Sequence, residues 1–141
     1  MRRKGVKRAA LWLVLLLLTM LLLASCQSRK PSGETRVLVD GNVWEGAAAT
    51  DDDLRVYITL DGAPLIDLPF GEAHTVEVLQ PDGAENTVEL TGEQVVMKHA
   101  NCENQDCVQM GAVTRDNLEL RVMGGFIICL PHKVSVEVRG A

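Results

Sequence analysis

From Thr35 onward apolar residues recur at every second position, and no window holds them at i, i+3, i+4, i+7 over three turns. Leu54, Val56, Ile58 and Leu60 alternate with Arg55, Tyr57 and Thr59, the signature of a strand with one buried face. Asp61-Gly62 follows, then an apolar run from Ala63 to Pro69; Asp-Gly between two such runs predicts a tight hairpin, because both turn positions need positive φ. Val76 to Leu79 and Thr87 to Leu90 flank a Pro-Asp-Gly turn at residues 81–83, and Val95 to Lys98 follows Thr91-Gly92. Leu118, Leu120 and Val122 alternate with Glu119 and Arg121, which predicts a further strand. Gly124-Gly125 reads as a turn, Phe126 to Cys129 as a fully buried strand, and Val134, Val136 and Val138 as a last alternating one. One helical turn around Asp106 to Gly111 is the only helix the pattern allows. About seven short strands with a turn every 8–12 residues predict an all-β fold, a small antiparallel β-sandwich or barrel. Asp51-Asp52-Asp53 lacks the spaced ligands, glycine and distal glutamate of a calcium loop, and reads as a solvated connection.

The amino terminus is of another kind. Arg2, Arg3, Lys4, Lys7 and Arg8 precede a stretch from Ala9 to Ala24 that is apolar except at Thr19. Sixteen residues rise about 24 Å as a helix, short of the roughly 30 Å hydrocarbon core, so residues 1–25 read as a secretory signal peptide. The stretch ends in Leu23-Ala24-Ser25-Cys26, which resembles the bacterial lipobox at every position. Cys26 is then the acylated first residue of the mature protein, and its acyl chains form a lasting membrane anchor. Residues 26–34 read as a flexible tether and 35–141 as the folded domain, delivered to the outer face of the cytoplasmic membrane.

The formal charge of −5 averages over these unlike parts. Without the first 25 residues, nine basic residues stand against 19 acidic ones, a net charge of −10. So acidic a domain lacks the clustered Lys and Arg that displace counterions from nucleic acid. No Gly-x-Ser-x-Gly, Ser-x-x-Lys, His-Glu-x-x-His or phosphate-cradling loop occurs, so no catalytic motif is recognised.

Chemistry concentrates in three further cysteines, Cys102, Cys107 and Cys129. Thiols outside the membrane tend to be oxidised, and an odd number needs an explanation. One reading is a structural disulfide beside a buried thiol. Chain entropy gives about 2.2 kcal/mol for Cys102–Cys107 and about 3.6 for Cys102–Cys129. The local pair is favoured because it can close within one turn, though all three pairings stay open. A second reading is a redox site in which the third thiol resolves a mixed disulfide. The third adds His132 to make a Cys3His set; Cys129 and His132 have a common zinc spacing, while the Cys102 to Cys107 gap is wide. No cofactor is predicted from the first two readings, and zinc is the ion the Cys3His set of the third would take. His74 and His99 are assigned no role.

Asn101-Cys102-x4-Cys107-Val108, then Gly111, then Ile127-Ile128-Cys129-Leu130-Pro131-His132-Lys133-Val134, together with Leu54 to Ile58 and Gly62 to Leu65, resemble the exported proteins that contain a NusG domain II, over residues 36–139. In that family proline often follows the first cysteine; Glu103 stands there in this chain. The resemblance implies a small all-β domain similar to the one inserted in some NusG transcription factors. It does not imply their function, because an exported acidic domain cannot meet RNA polymerase. Some relatives are encoded beside flavin-transfer and membrane electron-transfer components.

The expected function is therefore that of a membrane-anchored extracytoplasmic lipoprotein acting as an accessory or interaction module. Its partner would be another envelope or membrane protein, met through the sheet edges and the Asn101–Cys107 loop beside Cys129-Leu130-Pro131-His132, with no nucleic acid involved. The alternative is a redox-active or metal-binding component of an extracytoplasmic electron-transfer system.

Overall fold

A computed structural model describes residues 33–46 and 52–140. The expected signal peptide, the lipidated Cys26, the tether through residue 32, and Asp51 lie outside the described residues.

Alternating burial folds the chain into strands β1 (Arg36–Val39), β2 (Asn42–Val43), β3 (Leu54–Leu60), β4 (Ala63–Pro69), β5 (Ala73–Leu79), β6 (Glu85–Thr91) and β7 (Gln94–Ala100), then a single helical turn α1 (Asp106–Gln109), then β8 (Val113–Thr114), β9 (Phe126–Cys129) and β10 (Val134–Gly140). They form two antiparallel sheets, one ordered β2-β1-β5-β6-β7-β8 and the other β4-β3-β10-β9. The sheets stay separate, so of the two predicted architectures the sandwich is the one adopted. Val56, Ile58, Ile66 and Leu68 from the smaller sheet and Val76, Val78, Val88 and Leu90 from the larger are all buried. Each such side chain contributes roughly 1.5–3 kcal/mol of transfer free energy.

Two hairpins rest on the same dipeptide. Asp61 and Gly62 have φ of 50° and 81°, the geometry the sequence predicts between β3 and β4. Asp40 and Gly41, at 52° and 80°, repeat it between β1 and β2, a pair the sequence reading passes over. His74, assigned no role from sequence, ties that hairpin down: Nδ1 faces Asp40 Oδ2 at 2.8 Å and Nε2 faces Glu72 Oε2 at 3.3 Å. Burial alone would lower its pKa, but the bonds to Asp40 and Glu72 raise it on balance.

The predicted strand over Leu118 to Val122 does not form. Residues 115–125 are a succession of turns, with Leu120 83% and Val122 101% exposed. The reason is Arg121, whose guanidinium donates to the carbonyls of Gly124 (3.1 Å), Met110 (3.0 Å), Ala112 (2.9 Å) and Phe126 (3.4 Å). A side chain that gathers four carbonyls from around it needs a curled backbone, which no extended strand provides. Gly125 completes the loop: its carbonyl accepts from Val138 N–H at 2.9 Å, and a Cβ there would lie 2.1 Å from the Val138 carbonyl oxygen.

The acidic run before β3 is also more than a solvated connection. Asp52 accepts from the N–H of Gly71 (2.5 Å) and Leu54 (3.3 Å) and pairs with Arg115 (2.9 Å). The Gly71 bond above all, with Arg115 and Leu54 adding to it against burial, holds the Asp52 pKa down at about 2. Arg115 lies 5.1 Å above the Phe70 ring, so this corner joins the 115–125 loop to the core.

Candidate thiol site

Three elements deliver the three cysteines to one place. In β7 the inward side chains are Val95 and Met97, and strict alternation would turn His99 inward next. A bulge against β6, where Thr87 pairs with His99 but Val88 with Met97, leaves Lys98 unpaired and shifts the phase by one residue. Lys98 and His99 are both exposed, Ala100 turns inward, and Cys102, two residues on, is buried. Cys129 ends β9 in the inward phase set by Ile127, opposite Val134 of β10. Cys107 lies on α1, which packs against both β7 and β9. Thus Cys129 comes from a strand of the smaller sheet, Cys102 from the loop that leaves β7 of the larger one, and Cys107 from the helical turn that follows.

The loop that carries the first two cysteines is held by side-chain amides. Asn101 donates through Nδ2 to the Gly83 carbonyl (2.8 Å) and accepts from Glu85 N–H (2.9 Å), fastening the loop to the β5–β6 turn. Gln105, with φ of 55°, folds its Nε2 back onto the carbonyls of Ala100 (2.7 Å) and Cys102 (2.5 Å). The loop is thereby braced although Glu103 stands where relatives often carry proline. Gly111, with φ of 73°, ends α1 in the left-handed geometry that favours glycine.

The Sγ atoms of Cys102 and Cys107 are 3.8 Å apart, and all three sulfurs lie within 4.8 Å of one another. All three cysteines are buried and free. The disulfide favoured from sequence between Cys102 and Cys107 is therefore not formed: the separation is well beyond the roughly 2.05 Å of a bond. Burial, helped by hydrogen bonds to Cys129 and Cys102, pushes the Cys107 thiol up to about 12. A thiol that keeps its proton is a poor nucleophile for disulfide exchange. A metal removes that obstacle, since its charge replaces the protons.

His132 does not join the sulfurs. It lies outside the cluster of ligand atoms within 4.8 Å, and its Nδ1 donates to Oδ1 of the buried Asn86 at 2.8 Å. Asn86 in turn donates to Met97 Sδ (3.5 Å), while the His132 carbonyl accepts from Gln80 Nε2 (2.9 Å). His132 thus anchors the β9–β10 turn to the larger sheet, and the Cys3His set expected from sequence reduces to three sulfurs.

A cleft of about 30 Å³ runs from the surface to this cluster, lined by Asn104, Asp106, Cys107, Ile128, Cys129, Leu130 and Pro131. The sequence reading missed Asn86, Gln105 and Arg121 as parts of the site's frame. Only Arg121 left a signal, as a cation between two apolar residues that proved exposed.

Among curated proteins, none matches the chain. The crystal structure of the Lin0431 protein from Listeria innocua is similar, with a TM-score of 0.54 at 26% identity over 64% of this chain and 99% of that one. A DUF1312 family protein from Enterococcus faecalis (EF3258) has the same fold, with a TM-score of 0.54 at 22% identity over 62% of this chain and 98% of that one. The model of NusG domain II matches residues 11–141. The chain, which folds into a small two-sheet β-domain and matches this model over all but its first ten residues, belongs to the NusG domain II family.

Proposed function

We propose that the protein is a membrane-tethered extracytoplasmic accessory module that works through the thiol end of its β-domain. The observation that carries this reading is the convergence of two segments, the Asn101–Cys107 loop and the Cys129–His132 turn, around one cleft whose rim residue Leu130 is 78% exposed. The lipobox supports the anchoring, and the route of the chain supports the position. At the start of the domain, a Cβ on Gly33 would lie 2.9 Å from Pro81 Cβ. The turn at Pro81 is bonded to both cysteine segments, through Gln80 to the His132 carbonyl and through Asn101 to the Gly83 carbonyl. Six residues lie between Cys26 and Gly33, and the seven steps reach at most about 25 Å. A lipid on Cys26 therefore leaves the first residue of the domain within about that distance of the bilayer surface. A membrane or envelope protein is the partner this favours, and nucleic acid or RNA polymerase is not.

The test has two arms. Cys26→Ala abolishes acyl labelling and releases the protein from the membrane fraction; unchanged labelling refutes the anchor. A photo-crosslinking residue placed at Leu130 captures a membrane protein in intact cells, whereas one at Val43, 63% exposed on the edge strand β2, does not. Equal capture at both positions refutes the thiol end as the contact surface.

A second reading, a metal site within an extracytoplasmic electron-transfer system, is favoured by the sulfur spacing. Ligands about 2.3 Å from a tetrahedral zinc lie about 3.8 Å apart, the separation of Cys102 and Cys107. Zinc is the ion this reading names. Metal content and free-thiol counts on the purified, detergent-solubilised protein test it: stoichiometric zinc supports it, and three reactive thiols in zinc-saturated protein refute it.

A further inference from the structure

We propose that Cys102, Cys107 and Cys129 are the only protein ligands of this zinc ion, and that its fourth position opens into the cleft at Leu130 and Pro131, where a small exogenous donor binds. The inference rests on the metal reading above and specifies what the site does: it exchanges a ligand with the surroundings, as a closed structural site does not.

Three observations lead there. The first is the supply of donors. His132 is engaged by Asn86, and the Asp106 carboxylate at the cleft accepts from Asn104 Nδ2 at 2.6 Å, while neither joins the ligand atoms that cluster within 4.8 Å. Among the described residues no fourth His, Cys, Asp or Glu joins the three sulfurs, so a tetrahedral ion held there takes its fourth donor from outside them.

The second is access. The cleft reaches Cys107 and Cys129 but not Cys102, so it opens over one edge of the sulfur triangle. Its volume of about 30 Å³ admits a water-sized ligand, since about 10–15 Å³ of such space is enough for one.

The third is charge. Three thiolates with a divalent ion leave one net negative charge, whereas a monovalent soft ion leaves two in a buried site, a heavier desolvation penalty. Binding balances as three thiols, Zn²⁺ and water giving an S3-aquo complex and three released protons, with no change of oxidation state. Replacing the water with a small thiol adds one sulfur ligand and releases one further proton.

Cobalt(II) reports on this directly, because its thiolate charge-transfer absorption scales with the number of sulfur ligands. The reduced, lipid-anchored chain in detergent is titrated with Co²⁺, and 2-mercaptoethanol is then added as the exogenous donor. The expected result is one cobalt per chain with three thiolates, then a rise of about one third in charge-transfer intensity as a fourth thiolate enters. His132→Ala and Asp106→Asn keep both the initial spectrum and the rise. An intensity that 2-mercaptoethanol leaves unchanged, or ligand-field bands that move in either variant before it is added, overturns the open position and leaves the metal reading standing. Failure of the reduced chain to take up cobalt or zinc overturns both.

Discussion

Residues 115–125 provide the sharpest test of how this fold is held, because a strand and an Arg-centred loop predict opposite outcomes. In a strand with Leu118, Leu120 and Val122 facing the core, truncating Leu120 would cost about 2–5 kcal/mol. With Leu120 83% and Val122 101% exposed, Leu120→Ser and Val122→Ser should each stay within about 0.5 kcal/mol of the parent. Arg121→Met should behave differently. It keeps the aliphatic stem and removes four donated bonds, of which those to Met110 and Ala112 are 3.0 Å or shorter. Hydrogen bonds from a charged donor are worth about 1.5–3 kcal/mol each, and solvent can reach this half-buried site. Counting the two shortest at the lower figure gives about 3 kcal/mol, or a fall in Tm of about 12 °C for a domain of this size. Differential scanning calorimetry on the purified protein measures it. The same substitution should speed thiol alkylation, since Met110 follows the helix that bears Cys107 and Phe126 begins the strand that bears Cys129. A Tm within 2 °C of the parent for Arg121→Met, or a loss above about 2 kcal/mol for Leu120→Ser, would refute the reasoning.

The remaining predictions concern packing and titration. Gly125→Ala places a Cβ 2.1 Å from a backbone oxygen that cannot withdraw, so it should cost more than about 3 kcal/mol; Gly62→Ala meets open space at φ 81° and should cost only about 1 kcal/mol. Thermal melts of the two variants compare them, and similar losses would contradict the close approach. Asp52, held at about 2 from an ordinary 3.8, contributes stability that is fully present above pH 3.8 and is lost as pH falls through about 2. Acid unfolding of Asp52→Asn should therefore flatten across that window, and an unchanged acid limb would count against the Gly71 and Arg115 contacts. His74 has the opposite sign: its raised pKa adds stability that is fully present below pH 6.5 and fades as pH climbs through the folded value, so His74→Gln should lose its stability deficit in alkaline buffer. A deficit independent of pH would dismiss the Asp40 and Glu72 pairings. His132→Ala strands the buried Asn86 carbonyl oxygen and should cost about 1–3 kcal/mol in urea unfolding; no loss would mean that the bond is not made.

What the sequence revealed, and what it concealed, follows from the range of each interaction. Asp61-Gly62 and the Val134, Val136, Val138 alternation are local, so the hairpin and β10 are legible in sequence. Leu118, Leu120 and Val122 carry an equally good alternation, and it misleads because the competing partners of Arg121 lie between Met110 and Phe126. Asp40-Gly41 offered the same turn signal as Asp61-Gly62, but beside it Val37, Leu38 and Val39 form a continuous apolar run with no polar alternation to mark a strand. The approach of the sulfurs to one another is of longer range still. It depends on how two sheets stack, which spacing along the chain does not encode.

The position of Cys102 shows why three cysteines could be counted but not placed. Extended forward from Met97, the period of two turns His99 to the core and leaves Cys102 on the solvent face. The bulge that leaves Lys98 unpaired reverses that phase by a single residue. Nothing in Val-Met-Lys-His-Ala announces a bulge, but its effects explain one another. Lys98 reaches Glu89 in solvent, His99 is spared burial, Ala100 fills the space beside Asn86, and Cys102 turns toward Cys107. The same one-residue shift brings Asn101 outward to the 83–85 turn, which fixes the loop that holds both thiols. The buried thiol cluster is thus a consequence of strand register, and removing the extra residue by deleting Lys98 should scatter it while leaving the β5–β6 hairpin intact.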